Sequence, residues 1–453
     1  MNPWIQCRTC LATALLFTLP CATPLQAAQD SYQDLQQLAT SFFEWRRVQQ
    51  PVGGDDIPRV ERPRGWVPDW SPEALEDYGE RYRQFITAVD AFDTTGWTVP
   101  QQVDRRLLRA AIQRVHWELA MLREPRRNPL FYVQQTLGSV FELLILTGPI
   151  DEARATALIE RFAHIPKTLK HARKNLDEPV GPFATATVAT LADIDKRLEQ
   201  VASELDSVVP DSFKKALQGA IKQANKSLVR YREWLEDERD GMREAFALGP
   251  DAYAWFLSNV ALIPYTPREL LLQGRQAWNR AVAWDVIEQN RNAEAPELPI
   301  FPSMERQIQM AELREGEIRT FLEKHDLMTV PEWLPHYLSC PLPEYLAPLA
   351  FLGVTDDLTS EIRLDENACS YIREPSPDLP YFYLSAARDP RPLIIHEGVP
   401  GHYFQLALSW AQENPIRRRY IDSVSYTHLR AHETLISISY AVFCLKKWGG
   451  GGG

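Results

Sequence analysis

Between Ser71 and Lys324 apolar residues return every three or four positions in one run after another, and nothing else in the chain narrows its possible folds as much. In the first run Leu75, Tyr78, Tyr82, Phe85, Val89 and Phe92 fall on one stripe of a helix with 3.6 residues per turn. Ser71 ahead of it can accept from the free N–H groups of a first turn. Pro72 suits the first helical position, where its missing N–H would have no partner. Similar stripes run through 104–123, 151–163, 212–235, 267–288 and 304–324. A stripe needs another apolar surface to cover it, so these runs predict helices packed on helices. The charged faces between them (Glu73, Glu76, Asp77, Glu80, Arg81) read as solvated surface, and no internal repeat is evident.

Both ends are set apart from this pattern. Arg8, the apolar stretch from Leu11 to Leu19 and Leu25-Gln26-Ala27 have the make-up of a secretory leader cut after Ala27. The apolar stretch is shorter than the roughly 20 residues of a membrane helix, and Pro20 before Cys21 is a poor fit for lipid attachment. The expectation is an exported protein, periplasmic or secreted, without stable membrane insertion. From Ser423 the chain changes character and ends in Gly449–Gly453; this tail resembles translated sequencing adapter. His428, His432 and Glu433 within it could pass for a metal cluster, and they are set aside with the rest of 423–453.

About 395 residues remain, enough for a large core and two subdomains. Proline-rich connectors near 51–72 and 294–302, with a softer change near 248, divide them into an N-terminal helical region (28–247) and a second region (248–422). The net charge of −11 becomes −14 once Arg8 and the tail, which carries a net +2, are taken away. So acidic a chain has no electrostatic footprint for nucleic acid. Of six cysteines only Cys340 and Cys369 stay, in a compartment that permits a disulfide; two separate thiols are the alternative. From 340 to 392 the chain is dense in proline, and Glu361–Leu364, Ser370–Arg373 and Tyr381–Ser385 favour strands. Tyr381, Phe382 and Tyr383 are candidates either for a substrate cleft or for the core. His116, His164, His171, His325 and His336 are scattered without ligand spacing.

The chemistry-bearing segment is His396-Glu397-Gly398-Val399-Pro400-Gly401-His402, between the apolar runs Leu393–Ile395 and Tyr403–Leu408. Two imidazoles and a carboxylate are what a zinc hydrolase needs. Residues six apart on a regular helix do not share a face, and Pro400 would clash with the carbonyl of His396. A break at Pro400-Gly401 should therefore reset the phase: without those two residues the segment reads His-Glu-Gly-Val-His, the ordinary zincin pattern. The alternative is a His-Glu pair at a helix end with an unrelated histidine past a turn.

The segment resembles the His-Glu-x-x-Pro-Gly-His signature of the bacterial family known as domain of unknown function 885, grouped with gluzincin-type zinc peptidases. Val67–Ala74, Leu248–Tyr253 and the stretch from Phe321-Leu322 to Val330-Pro331 are similar to that family too. The resemblance implies a mainly α fold with large multi-helix domains and a small β-sheet beside the metal-binding helix, whose edge strand can pair with an extended substrate. It implies Zn2+ on His396 and His402, Glu397 as general base and a peptide or other amide substrate, with Tyr381 and Tyr383 as candidate substrate contacts. Family members often carry a second histidine where this chain has Tyr403, which favours His402 as the ligand. A gluzincin takes its third ligand, a Glu, from a following helix; here the chain runs to Ile421-Asp422 and then into the tail, so a truncated and inactive site is expected. An exported helical binding protein with a vestigial metal site is the alternative from another class.

Overall fold

The computed structural model describes residues 24–53 and 60–420. Residues 1–23 of the expected leader, and the tail with His428, His432 and Glu433, lie outside the described residues. The fold is mainly α, with one three-stranded sheet among the described residues. The helices used below are α1 (Pro24–Gln49), α2 (Pro72–Asp90), α3 (Val99–His116), α4 (Glu152–Asn175), α5 (Ile194–Val208), α6 (Asp211–Glu238), α7 (Pro267–Arg291), α8 (Met304–Lys324), α9 (His402–Trp410) and α10 (Pro415–Arg419). No helix among the described residues is long and apolar enough to cross a membrane.

Local chemistry sets the helix starts. The Ser71 hydroxyl accepts from the Ala74 N–H at 3.2 Å, with Pro72 first in α2. Thr98 with Gln101, and Thr266 with Glu269, close reciprocal caps at the heads of α3 and α7. The stripe read from α2 buries Tyr78, Phe85 and Val89. A first core gathers side chains from Leu35 on α1 to Leu235 on α6, with α6 lying along α4. It also takes in Leu346, Leu349, Leu352, Tyr371 and Ile416, from beyond residue 248. A second, smaller core joins Ala311, Ile318 and Leu322 of α8 to Tyr337, Ile394, Ile395, Phe404 and Leu406. By contrast α7 buries only Leu270 and Ala277, and leaves Leu271, Leu272, Trp278 and Val282 exposed.

The sheet has the order β1-β3-β2, from β1 (Tyr337–Pro341), β2 (Asp356–Asp357) and β3 (Ala368–Ile372). β1 and β3 are parallel, with Tyr337 beside Ala368 and Cys340 beside Tyr371; β2 runs antiparallel to β3. Cys340 and Cys369 are joined by a disulfide with a Cα–Cα distance of 6.0 Å, tying β1 to β3. The strand expected at Ser370–Arg373 is the second half of β3. The other two expected strands are corrected by the structure. Glu361–Leu364 is a turn whose charged residues are drawn into ion pairs, Arg363 2.8 Å from Asp357 six residues back and Glu361 3.2 Å from Arg418. Tyr381–Ala386 is a short helix started behind Pro380, with the Leu384 N–H donating to the Pro380 carbonyl at 2.9 Å. The strand preference of aromatics yields to that local turn. Tyr381 and Phe382 are each 78% exposed, so neither belongs to the core.

Candidate metal centre

The second core presents the His396–His402 segment. After a turn at Arg391–Leu393 the backbone widens into one π-helical turn, Ile394–Gly398, which carries His396 and Glu397. Ile394 and Ile395 are buried and anchor this turn. Gly398 lies flat on the Tyr337 ring; a Cβ there would sit 2.6 Å from the ring's Cδ1. The helix stops at Val399, which is extended (φ −118°, ψ 121°), passes a cis Val399–Pro400 peptide and Gly401, and resumes at His402. A Cβ on Gly401 would stand 1.8 Å from the His396 carbonyl oxygen, so only glycine lets the backbone fold back there.

That folding back decides the geometry. On a regular helix six residues advance about 9 Å and turn well past the starting face. Here the His396 and His402 ring centroids are 5.0 Å apart, with the rings nearly perpendicular. The potential ligand atoms of His396, Glu397 and His402 all lie within 4.8 Å of one another. His396 Nε2 is 3.6 Å from Glu397 Oε1; the imidazole is half-exposed and the carboxylate mostly buried. Among the described residues no other His, Cys, Asp or Glu joins this group. The two imidazoles suit zinc, which histidine nitrogen binds at about 2.0–2.1 Å, and the Glu397 carboxylate would stand beside such an ion.

The structure adds residues that the sequence did not point out. The Tyr337 hydroxyl donates to Asp356 Oδ2 at 2.7 Å, and Asp356 Oδ1 accepts from Ser370 Oγ at 2.9 Å. Burial, and then the negative charges of Asp356 and Glu397, hold the Tyr337 phenol well above its usual pKa. Glu315 is buried on α8, accepts from Arg319 at 2.6 Å and lies 2.8 Å from His336 Nδ1. The Tyr337 N–H also points at Glu315, at 3.4 Å, so at this residue β1, an edge of the sheet, is already occupied. One signal was legible: Glu315 falls on the stripe of Ala311, Ile318 and Leu322, a carboxylate among apolar positions.

Tyr403, at the position where the resembled family often has histidine, is 1% exposed and donates its hydroxyl to the Pro335 carbonyl at 3.2 Å. It is a core side chain. Tyr381 and Tyr383 stand on the short helix before the Arg391 turn, with the Arg373 guanidinium 5.2 Å from the Tyr383 ring centre, and are not part of the His/Glu/His group. Of the scattered histidines, His116 stacks on Tyr82, and burial pushes the pKa values of His116, His164 and His171 down. His325 packs against Phe321.

Comparison with known proteins follows the fold more than the site. The description of a bacterial protein family of unknown function (DUF885) matches residues 55–285, just over half of the chain. The match ends before the His396–His402 segment. No curated protein matches the chain. A solved structure of a candidate lipoprotein of unknown function from Shewanella oneidensis is similar, with 15% identity and a TM-score of 0.56 over 93% of this chain and 79% of that one. At that identity the likeness speaks for the fold alone.

Proposed function

The chain belongs to the bacterial DUF885 family, and for it we propose an exported zinc-dependent hydrolase acting on a peptide or another amide. One observation carries the reading: the break at Val399–Gly401 brings the donor atoms of His396, Glu397 and His402 within 4.8 Å. His396 and His402 would hold the ion. When bound, zinc supplies Lewis-acid polarisation of a carbonyl and lowers the pKa of a water towards about 7.

The chain's own residues divide the remaining work. Glu397 adjoins His396 and is mostly buried, which sets its carboxylate beside the proposed ligands. It takes the proton of the attacking water and hands it to the departing nitrogen. Gly398 and Tyr337 keep the turn under Glu397 rigid, since the Tyr337 ring fills the space a side chain would need. To Tyr381 and Tyr383, on the short helix before the turn, we assign contact with the substrate; Tyr381, with its neighbour Phe382, is open to solvent. A third ligand from a following helix would complete three protein ligands and one water.

Metal analysis of a full-length protein that carries the third ligand, with turnover of a peptide library, tests this. Stoichiometric zinc is expected, retained in Glu397→Gln and lost in His396→Ala and His402→Ala. Any peptidase turnover should fall by about 10²–10⁴ in Glu397→Gln. Full activity in Glu397→Gln, or no zinc in the full-length protein, overturns the reading. The second outcome would favour an exported helical binding protein with a vestigial site. What supports that alternative is the described ligand set, which leaves only two histidines once Glu397 acts as base.

A further inference from the structure

Two buried guanidinium groups share one carboxylate in the seam between the first core and α9. Arg62 and Arg161 stand over the Trp66 indole, 4.3 and 5.0 Å from its ring centre. Their side chains are 2% and 6% exposed. The arginines around them each hold a carboxylate of their own: Arg46 grips Glu118 with two hydrogen bonds, and Arg363 grips Asp357 in the same way. For Arg62 and Arg161 the nearby carboxylate is Glu142, 3.9 Å from Arg62 Nε and 3.5 Å from Arg161 Nη1. Both separations are longer than a good N–H···O bond. Arg62 donates once to the Arg47 carbonyl, and Arg161 donates to that of Ser139 and, at a long 3.5 Å, to Glu142 Oε2. Arg62 Nε and Nη2 and Arg161 Nε are buried and have no hydrogen-bond partner. Burial pushes the Arg62 guanidinium down to about 10, against the pull of Glu142, and lowers Arg161 too.

A cavity of about 90 Å3 opens against this pair, its wall including Arg62, Glu142, Arg161, Thr359 and Leu406. The other carboxylates on the wall, Glu61 and Asp357, lie against Arg363, at 3.8 and 2.8 Å. Leu406 is one turn beyond His402 on α9, so the cavity reaches the helix that carries half of the metal centre. Water could fill the space, but it would leave a buried positive charge unmatched, which is costly. Guanidinium forks fit planar or tetrahedral oxyanions with paired N–H groups. We propose that this cavity is a binding site for one small oxyanion, held by Arg62 and Arg161 and opposed by Glu142. None of these residues is a candidate metal ligand, so the inference stands apart from the zinc reading.

Calorimetric titration of the full chain with sulfate, and separately with formate, at constant ionic strength tests it. A saturable one-to-one isotherm with either anion is expected. Formate alone would identify a carboxylate as the natural ligand, sulfate alone an inorganic oxyanion. Arg161→Gln should weaken binding at least tenfold. Glu142→Gln removes the opposing charge and should tighten it severalfold, a result that mere loss of structure would not produce. No saturable binding in the parent chain, or an unchanged affinity in Glu142→Gln, overturns the proposal.

Discussion

Helices α6 and α7 are 28 and 25 residues long, and both carry apolar residues at helical spacing, yet they meet opposite surroundings. α6 buries Leu217, Ala220, Ile221, Ala224, Leu228, Tyr231 and Leu235 against α4, α5 and their neighbours. α7 buries two residues and leaves Trp278 70% exposed. The period of a sequence therefore specifies a helix and its stripe, but not whether anything lies against that stripe. The same contrast runs through the molecule. The first core closes around its helices, whereas the candidate metal centre lies on a smaller core and keeps His396 open to solvent.

The largest effect should come where the smaller core is tightest. Gly401→Ala sets a Cβ 1.8 Å from a backbone oxygen, which no rotamer can relieve. A loss of about 4 kcal/mol or more, or a rearranged break with lost zinc binding, is expected from urea unfolding combined with metal titration. Unchanged stability with intact metal binding would show that the break is looser than its geometry implies.

Next comes Leu228→Ala, in the middle of the covered stripe and fully buried. It should cost about 2–5 kcal/mol in a chemical unfolding curve. A cost under about 1 kcal/mol would erase the contrast between α6 and α7.

A smaller effect is expected at Asp357, which ties β2 to the first core through the Thr147 N–H. Burial pushes its pKa up, but the hydrogen bonds and charge of Arg363, with the N–H groups of Thr147 and Thr359, bring it below the ordinary value. Because the folded value is the lower one, this stabilisation is complete above the unfolded pKa near 3.9 and disappears as pH falls through the folded value. Unfolding curves between pH 6 and pH 3 should show that loss in the parent chain and a flatter profile in Asp357→Asn. Equal slopes would place the acid sensitivity elsewhere.

Trp278→Ala on the bare face of α7 should matter least, within about 0.5 kcal/mol of the parent. A loss of 2 kcal/mol or more in dilute solution would mean that the face is covered after all.

Much of the helical architecture was legible because its signals are local. Ser71 and Pro72 announce the head of α2, and the stripe of Tyr78, Phe85 and Val89 announces its buried face. Pro400 forbids a regular helix through the metal motif, so the break could be read from covalent chemistry alone. The strands were harder. β1 pairs with β3 across about thirty residues, and nothing in Tyr337–Pro341 taken alone requires that partner. At Tyr381–Ala386 aromatic residues favoured a strand, and the turn started behind Pro380 prevailed.

The sequence by itself determined the helices, the position of the break and the His-Glu-His side chains proposed for a metal, because helical period, caps and proline act over a few bonds. Only the tertiary structure decided how close His396, Glu397 and His402 come, that Tyr337 lies beneath Gly398, and that Arg62 and Arg161 share Glu142. The last two join side chains far apart in the chain and depend on which surfaces the packed cores bring together; the first depends on how far the chain folds back at Gly401.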